Sequence, residues 1–524
     1  MTPARPSRRP YWTLAAFALL LTLPFSWAVG VVAAAAVARV AWPVVRGARA
    51  RRGKDVPEPG VTLGVGPRGQ RVVLTDRQLS AHGLIVGASG AGKSTTLLTI
   101  LSSQIERGRP VVVIDLKGSP SFARELGAAA QRAQRALRVW TPDGPSHWNP
   151  LAHGNATELK DKLVATERFT EPHYQRAAER YVQTALHVLL ASGAQPDLGA
   201  VVALMEPRRL AAEVRHLQAP LAERVQDYLG ALSPDQLSAV RGLGTRLALL
   251  SESQAGPFLG PGPGPMIDLR AALRSDDVVL FSLNSSRYGK LAAQLGTLAI
   301  QDLVSVSGQR LDEPGAPATV ALDEFSALGA DHVLQLLARG RESGLSVLVA
   351  TQELSDLERA ARGFRDQVLG LTAVKIAHRQ DVPESAQTIA QMAGTRQEWE
   401  ETLQMRGLFS GSGSRGSRRL VERYAVHPNE IKALAPGQAV ILSKTPTASV
   451  KRVRVAAPAR AARPSVDPSP TLDPATAAAA RATVSQRLLA PPARARVKPP
   501  AVRAAVPRRR GTGRDDQAEP GVTR

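Results

Sequence analysis

The chain has 524 residues, a formal net charge of +22 and no cysteine. Disulfides and thiolate metal sites are therefore excluded, and the length leaves room for roughly two to four folded units. The nine histidines show no paired ligand spacing, so no transition-metal site is expected. The charge sits at the ends. Residues 1–54 carry nine Lys/Arg and no acid, residues 451–524 carry sixteen basic and five acidic residues, and residues 55–450 are left with only +2. The total charge is thus no evidence that the body of the chain grips nucleic acid.

Residues 11–38 hold no charged side chain, and only Arg39 interrupts the apolar run to Val45. A spanning helix needs roughly 20 apolar residues, so at least one span fits. Arg5, Arg8 and Arg9 stand before it, and Arg46, Arg49, Arg51, Arg52 and Lys54 after it. Both flanks therefore favour the cytoplasmic side, which suits a hairpin turning near Pro24-Phe25-Ser26 with Trp12, Trp27 and Trp42 at the interfaces. Each leg is short against the lower limit of roughly 17 residues, and a single tilted helix is the alternative. A cleaved signal peptide fits the same pattern. It would export the phosphate loop described below away from ATP, so an uncleaved anchor is the preferred reading.

Val61, Leu63 and Val65, then Gly66-Pro67-Arg68-Gly69, then Val72-Val73-Leu74 read as a hairpin. Leu84-Ile85-Val86 reads as a buried strand running into Gly87. A helix through Ile100 and Leu101 and a strand at Val111–Ile114 follow, an order that indicates a parallel α/β sheet. Tyr174, Ala178, Tyr181, Ala185, Leu186 and Leu189 recur at helical spacing, as do Leu237, Val240, Leu243, Leu247 and Leu250. Residues 154–276 are therefore expected to be an all-helical insertion. Strands resume at Val278–Leu283, Thr319–Leu322, Leu345–Ala350, Leu371–Ile376 and Ala439–Leu442. Beyond Val450 the composition falls to Ala, Pro, Arg and Val, and disorder is expected because too little apolar surface is available to offset ordering entropy.

Gly87-Ala88-Ser89-Gly90-Ala91-Gly92-Lys93-Ser94 matches the phosphate-loop pattern in full. Its glycines let backbone N–H groups turn toward a β-phosphate. Lys93 offsets charge on the β- and γ-phosphates, and the Ser94 hydroxyl ligates Mg²⁺. An ordinary Gly-rich turn is the bland alternative, and the flanking strand and helix weigh against it. Hydrolysis also needs one carboxylate for the Mg²⁺ shell and one to polarise water. Asp323-Glu324, at the end of Thr319–Leu322, supplies both. Asp115, with Lys117 two residues on, is expected on the neighbouring strand in a positioning role. Gln352 follows another strand and could hydrogen-bond the γ-phosphate or water, or simply be a loop residue. Arg339 and Arg341 lie near a helix end and, taken alone, read as a solvated basic pair.

Together these motifs resemble the conjugation coupling proteins, the TraG/TraD-type ATPases of type IV secretion, which belong with the FtsK/HerA group of DNA pumps. The resemblance rests on Gly87–Thr95, Val113-Ile114-Asp115-Leu116-Lys117-Gly118 and Leu322-Asp323-Glu324-Phe325 with Leu328-Gly329. Gly344–Gln352 and the stretch from Val374-Lys375-Ile376 through Pro383-Glu384-Ser385-Ala386 to Gly394-Thr395 also match. It spans about residues 60–445. It implies a RecA-like P-loop ATPase domain of α/β class, using ATP and Mg²⁺, with Thr95 among the nucleotide contacts. It further implies a homohexameric ring at the bacterial inner membrane with its ATPase domain in the cytoplasm. Such a ring moves single-stranded DNA, often with a relaxase, into membrane secretion-channel components. Arg341 then resembles the arginine that ring ATPases extend to a neighbour's γ-phosphate, with Arg339 as the other candidate.

The expected layout is a membrane anchor of one or two helices at 1–54, the ATPase domain in two parts at 55–153 and 277–450 around the 154–276 insertion, and a disordered basic tail at 451–524. The short anchor leaves almost no room for an extracytoplasmic domain, and the tail has no match in the family. Delivery of protein substrates is an alternative. An FtsK-like chromosome translocase is another, though it would predict a winged-helix domain where the tail lies. A non-enzymatic tether would leave Lys93, Asp323 and Glu324 without a role.

Overall fold

The structure is a computed structural model, and it describes residues 58–167, 169, 171–403 and 416–458. The expected anchor at 1–54 and most of the expected tail lie outside the described residues. Among the described residues no helix is long and apolar enough to cross a membrane.

Eleven strands form one sheet. The N-terminal hairpin is β1 (Gly60–Val65) and β2 (Arg71–Thr75), antiparallel as the alternation of Val61, Leu63, Val72 and Leu74 predicts. β3 (Gly83–Val86), β4 (Val111–Asp115) and β5 (Leu137–Trp140) follow. After the helical insertion come β8 (Val278–Ser282), β9 (Ala318–Asp323), β10 (Leu345–Thr351), β11 (Val374–Ala377), β14 (Gln438–Ser443) and β15 (Ser449–Val455). Their order is β2-β1-β15-β14-β11-β3-β10-β9-β4-β8-β5. The run from β11 to β5 is parallel throughout, and β14, β15, β1 and β2 extend it antiparallel.

Both faces of the parallel part are covered, which is why β3, β4 and β9 read as unbroken buried runs. Ile85, Val111, Val113, Leu280 and Ala321 pack with residues of the Lys93–Glu106 and Pro120–Arg132 helices on one face. Val86, Ile114, Phe281, Leu322 and Val349 pack with residues of the Lys290–Asp312 and Ala330–Gly340 helices on the other.

The insertion opens and closes at two short parallel strands, β6 (His147–Trp148) and β7 (Met266–Ile267). Between them run six helices, the longest being Pro172–Ala191 and Pro234–Ser251. Residues 154–276 are thus helical apart from β7 and its flanking loops. Lys162 pins the insertion's first helix to the α/β core. Its Nζ donates to Asp302 Oδ1 at 2.8 Å and to the carbonyls of Pro150 and His153, while Trp148 Nε1 donates to Asp302 Oδ2 at 3.0 Å. Every partner is buried or half-buried, and a buried pair is tolerable because its remaining donors and acceptors are satisfied.

Two departures from the sequence expectations stand out. Residues 451–455 are not tail: they complete β15, an inner strand between β14 and β1, with Val453 and Val455 buried. Arg452 and Arg454 project outward in alternation with them, and this basic pattern hid the strand. A separate antiparallel hairpin, β12 (Thr395–Leu403) with β13 (Gly416–Tyr424), was also not foreseen. Its polar residues on both faces give no apolar period.

Candidate nucleotide site

The site lies at the C-terminal ends of the parallel strands, where β3 meets the Lys93–Glu106 helix. That helix has no side-chain cap at its N-terminus, so its first N–H groups point into the loop as an anion-binding end requires. Gly92 precedes it with φ of 119°, and a Cβ there would stand 3.1 Å from Gly437 N, so glycine is required on both conformational and steric grounds. The loop is tied to its surroundings through the backbone. Ala88 N donates to the Arg379 carbonyl at 2.8 Å, and Gly437 N donates to the Ala91 carbonyl at 2.9 Å. Ser89 and Gly90 are exposed at its rim, and Ser94 and Thr95 open the helix half-buried. Lys93 is buried and donates to the carbonyls of Gly87 and Ala88. Burial, and next the Lys117 charge, depress its pKa.

The acidic half comes from β9 and its neighbours. Asp323 ends β9 directly opposite Asp115, which ends β4. Burial pushes the Asp323 carboxyl up to about 6, with Lys117 opposing the rise and Asp115 adding to it. Burial likewise raises Asp115, which its backbone donors partly counter. Glu324 follows with a left-handed backbone, φ 59°, a conformation that costs a non-glycine residue energy and is concentrated at functional sites. Its carboxylate is bracketed. Lys117 Nζ lies 2.9 Å from Oε2, and Gln352 Nε2 donates to Oε1 at 2.7 Å. Burial pulls the Lys117 pKa down, but Asp323 and Glu324 outweigh it and the net shift is upward.

Lys93, Asp115, Lys117, Asp323, Glu324 and Gln352 are therefore brought to one place. Gln352 binds Glu324, a partner not anticipated for it. Arg341 is not brought there. It caps the C-terminal end of the Ala330–Gly340 helix, close enough to His82 for its charge to oppose protonation there. His82 precedes β3, so Arg341 lies at the N-terminal end of that strand, away from the phosphate loop at its C-terminal end. Arg339 faces a different environment, the cleft of about 810 Å³ between the insertion and the α/β core that Glu158, Asp161 and His332 also line.

His378 was missed. It directly follows β11, the strand beside β3, and is fully buried. Its Nδ1 lies 2.9 Å from the Gln438 carbonyl and its Nε2 lies 2.8 Å from Thr96 Oγ1 in the loop's helix. A ring N–H donated to the carbonyl leaves Nε2 to accept from the hydroxyl. Burial lowers its pKa to about 4. The only sequence signal is its place one residue past a strand, which says nothing until β11 is known to adjoin β3.

Residues 317–436 match the family model of the TraM recognition site of TraD and TraG, and residues 61–151 match that of the helicase HerA-like C-terminal region. The first segment holds Asp323, Glu324 and Gln352, and the second holds the phosphate loop, Asp115 and Lys117. Two separate segments of the chain are thus similar to these family models. Solved structures share the fold. The unbound monoclinic form of the bacterial conjugative coupling protein TrwBdeltaN70 is 16% identical over 77% of this chain and 90% of that one, with a TM-score of 0.57. Plasmid coupling protein TrwB in complex with ADP and Mg²⁺ is 16% identical over 78% and 91%, with a TM-score of 0.56. VirB4 of Thermoanaerobacter pseudethanolicus is 14% identical over 76% and 96%, with a TM-score of 0.51. No curated protein matches the chain in sequence.

The residues of the site fit a nucleotide with Mg²⁺. The uncapped helix end and Lys93 suit phosphate, while the Ser94 hydroxyl and Asp323 carboxylate are the hard oxygen donors that Mg²⁺ prefers.

Proposed function

We propose that this chain is a membrane-anchored, ATP-driven DNA translocase. In this reading it is a coupling protein that delivers single-stranded DNA with its relaxase to a type IV secretion or conjugation channel. It works as a homohexamer with residues 1–54 in the bacterial inner membrane and the ATPase domain in the cytoplasm. One observation carries the reading: the segment matching the TraD and TraG model supplies Asp323 at the end of β9, Glu324 directly after it and its partner Gln352 just past β10, around one phosphate loop.

In the hydrolytic site Lys93 and the loop backbone hold the phosphates, and Ser94 and Asp323 hold the metal ion. Mg²⁺ would supply charge neutralisation between the β- and γ-phosphates. Asp115 sets the turn that carries Lys117. Glu324 polarises the attacking water, and Gln352 orients Glu324. Arg341, at the other end of the strands from the phosphate loop, acts in this reading on a neighbouring subunit rather than its own.

The test is hydrolysis by the full chain in bilayers, with and without single-stranded DNA. Several-fold stimulation by single strands supports the reading. Stimulation only by a protein substrate would turn it toward protein delivery, and stimulation only by duplex DNA toward an FtsK-like chromosome translocase.

A further inference from the structure

The turn after β4 is fixed from three sides. Asp115, buried at the strand end, accepts hydrogen bonds from the backbone N–H groups of Lys117 and Ser119, each at 2.9 Å. Gly118 completes the turn with φ of 63°, and a Cβ there would stand 2.7 Å from Asn284 N, so only glycine fits. Asn284 itself follows β8, the strand on the other side of β4. So rigid a turn is more than a surface connection needs. It leans one side chain, Lys117, across the end of β9 toward Glu324.

Two lysines then face the same space from different elements. Lys93 comes from the phosphate loop and Lys117 from the turn beyond β4, and each is under the influence of Asp323 and Glu324. Neighbouring ammonium groups repel, and an anion between them relieves that repulsion. The Lys117 side chain is 38% exposed, so its ammonium can swing. Glu324, by contrast, has both oxygens engaged, by Lys117 and by Gln352. An ammonium 2.9 Å from one oxygen draws charge from the carboxylate and weakens it as an acceptor toward water, and moving the ammonium away restores that capacity.

We propose that Lys117 is a catalytic residue whose ammonium moves from Glu324 to the terminal phosphate of ATP, stabilising that phosphate and freeing one Glu324 oxygen for water. The proposal rests on the chain's being an ATPase and is independent of the cargo. Because ADP lacks the terminal phosphate, Lys117 stays on Glu324 when ADP is bound, and the residue distinguishes the two nucleotides.

The experiment uses the full chain with Lys117→Met, which keeps the aliphatic stem and removes the charge. Its binding of ADP and of a non-hydrolysable ATP analogue, each with Mg²⁺, is compared with wild type. The analogue should bind at least ~10-fold more weakly, as loss of a hydrogen bond to a charged group implies, while ADP affinity stays unchanged. The turnover rate should fall ~100-fold, as for removal of one transition-state donor. Lys117→Arg should recover part of both. Equal weakening of both nucleotides would assign Lys117 to the loop's shape, and turnover at or above the wild-type rate would make it only a restraint on Glu324. Either result overturns the proposal. Should Lys117→Met fail to fold, Lys117→Gln takes its place. Lys93→Ala serves as the reference: if it binds the analogue as tightly as wild type, the error lies in the site itself and not in Lys117.

Discussion

A carboxylate that polarises water can be replaced by its amide without disturbing what the metal-holding carboxylate does. Glu324→Gln should therefore retain nucleotide while hydrolysis falls on the order of 10²- to 10⁴-fold, the usual contribution of a general base. Lys93→Ala should lose nucleotide as well. Equilibrium binding and single-turnover hydrolysis separate the two, and Glu324→Gln turning over at the wild-type rate would remove Glu324 from the mechanism. His378 makes a different prediction. Burial holds its folded pKa at about 4, below the unfolded value of about 6.5. The unfolded chain thus takes up a proton as pH falls below about 6.5 while the folded chain does not. Its contribution to stability is complete above that pH and is lost as pH falls toward 4. The loss between pH 6.5 and 5 is about 2 kcal/mol. His82, also held at about 4 by burial, acts in the same direction. Melting temperatures at pH 7.5 and pH 5 should therefore diverge less in His378→Gln than in wild type, and an unchanged difference would contradict a buried neutral ring. At this scale the sequence was legible where a residue's task is set by its immediate neighbours. Gly87 to Ser94 and Asp323-Glu324 each carry strand, turn and chemistry within a few positions. His378 was illegible because its task depends on β11 lying beside β3, and the Glu324 contacts of Lys117 and Gln352 depend on the β4-β9-β10 order.

Strands with one apolar face, or none exposed, were foreseen, whereas strands whose outward face is strongly charged were not. β5 alternates Leu137 and Val139 with Arg138, and β15 alternates Val453 and Val455 with Arg452 and Arg454. The β12–β13 hairpin pairs Glu400 with Arg419 and Glu401 with Arg418, and Trp399 opposite Leu420 is its one pair of large apolar residues. The error at β15 has a measurable consequence. A chain ended at 450 loses the strand that hydrogen-bonds β1 to β14, together with two buried valines worth about 1.5–3 kcal/mol each. At roughly 1.2 °C per kcal/mol for a domain of about 400 residues, the melting point should fall by roughly 4–7 °C. A chain ended at 458 should melt with the full-length protein. Equal melting of the two truncations would mean that β15 contributes nothing to the sheet.

For the whole molecule the sequence order of strands and helices was enough to anticipate a parallel α/β core with a helical insertion, since crossovers and turns constrain topology strongly. It could not place Arg341 relative to the site, because that distance is set by the direction in which the Ala330–Gly340 helix runs back along the sheet. Its location beside His82, at the end of the strands away from the phosphate loop, motivates the proposal that Arg341 acts on a neighbouring subunit. Arg341→Ala should bind ATP and assemble, yet hydrolyse slowly, since an arginine supplied across an interface contributes roughly 10³ to 10⁵ in rate. Mixing it with Lys93→Ala subunits should restore activity, because each Lys93→Ala subunit can lend its arginine to a neighbour with an intact phosphate loop. Mixed rings that show no rescue at any ratio would exclude a role in trans. One feature of the sheet also bears on how the protein is made. β1 is hydrogen-bonded only to β2 and β15 within the sheet, and Ala456 N still donates to the Leu63 carbonyl. Among the described strands the β1–β2 hairpin is synthesised first, and it must wait for β15, the last of them, before its edge can be sealed. During synthesis, when N-terminal regions ordinarily fold first, β1 keeps an unsatisfied strand edge open to other chains. Slow elongation through the intervening insertion would lengthen that exposure, whereas a nascent-chain chaperone covering β1 would shorten it.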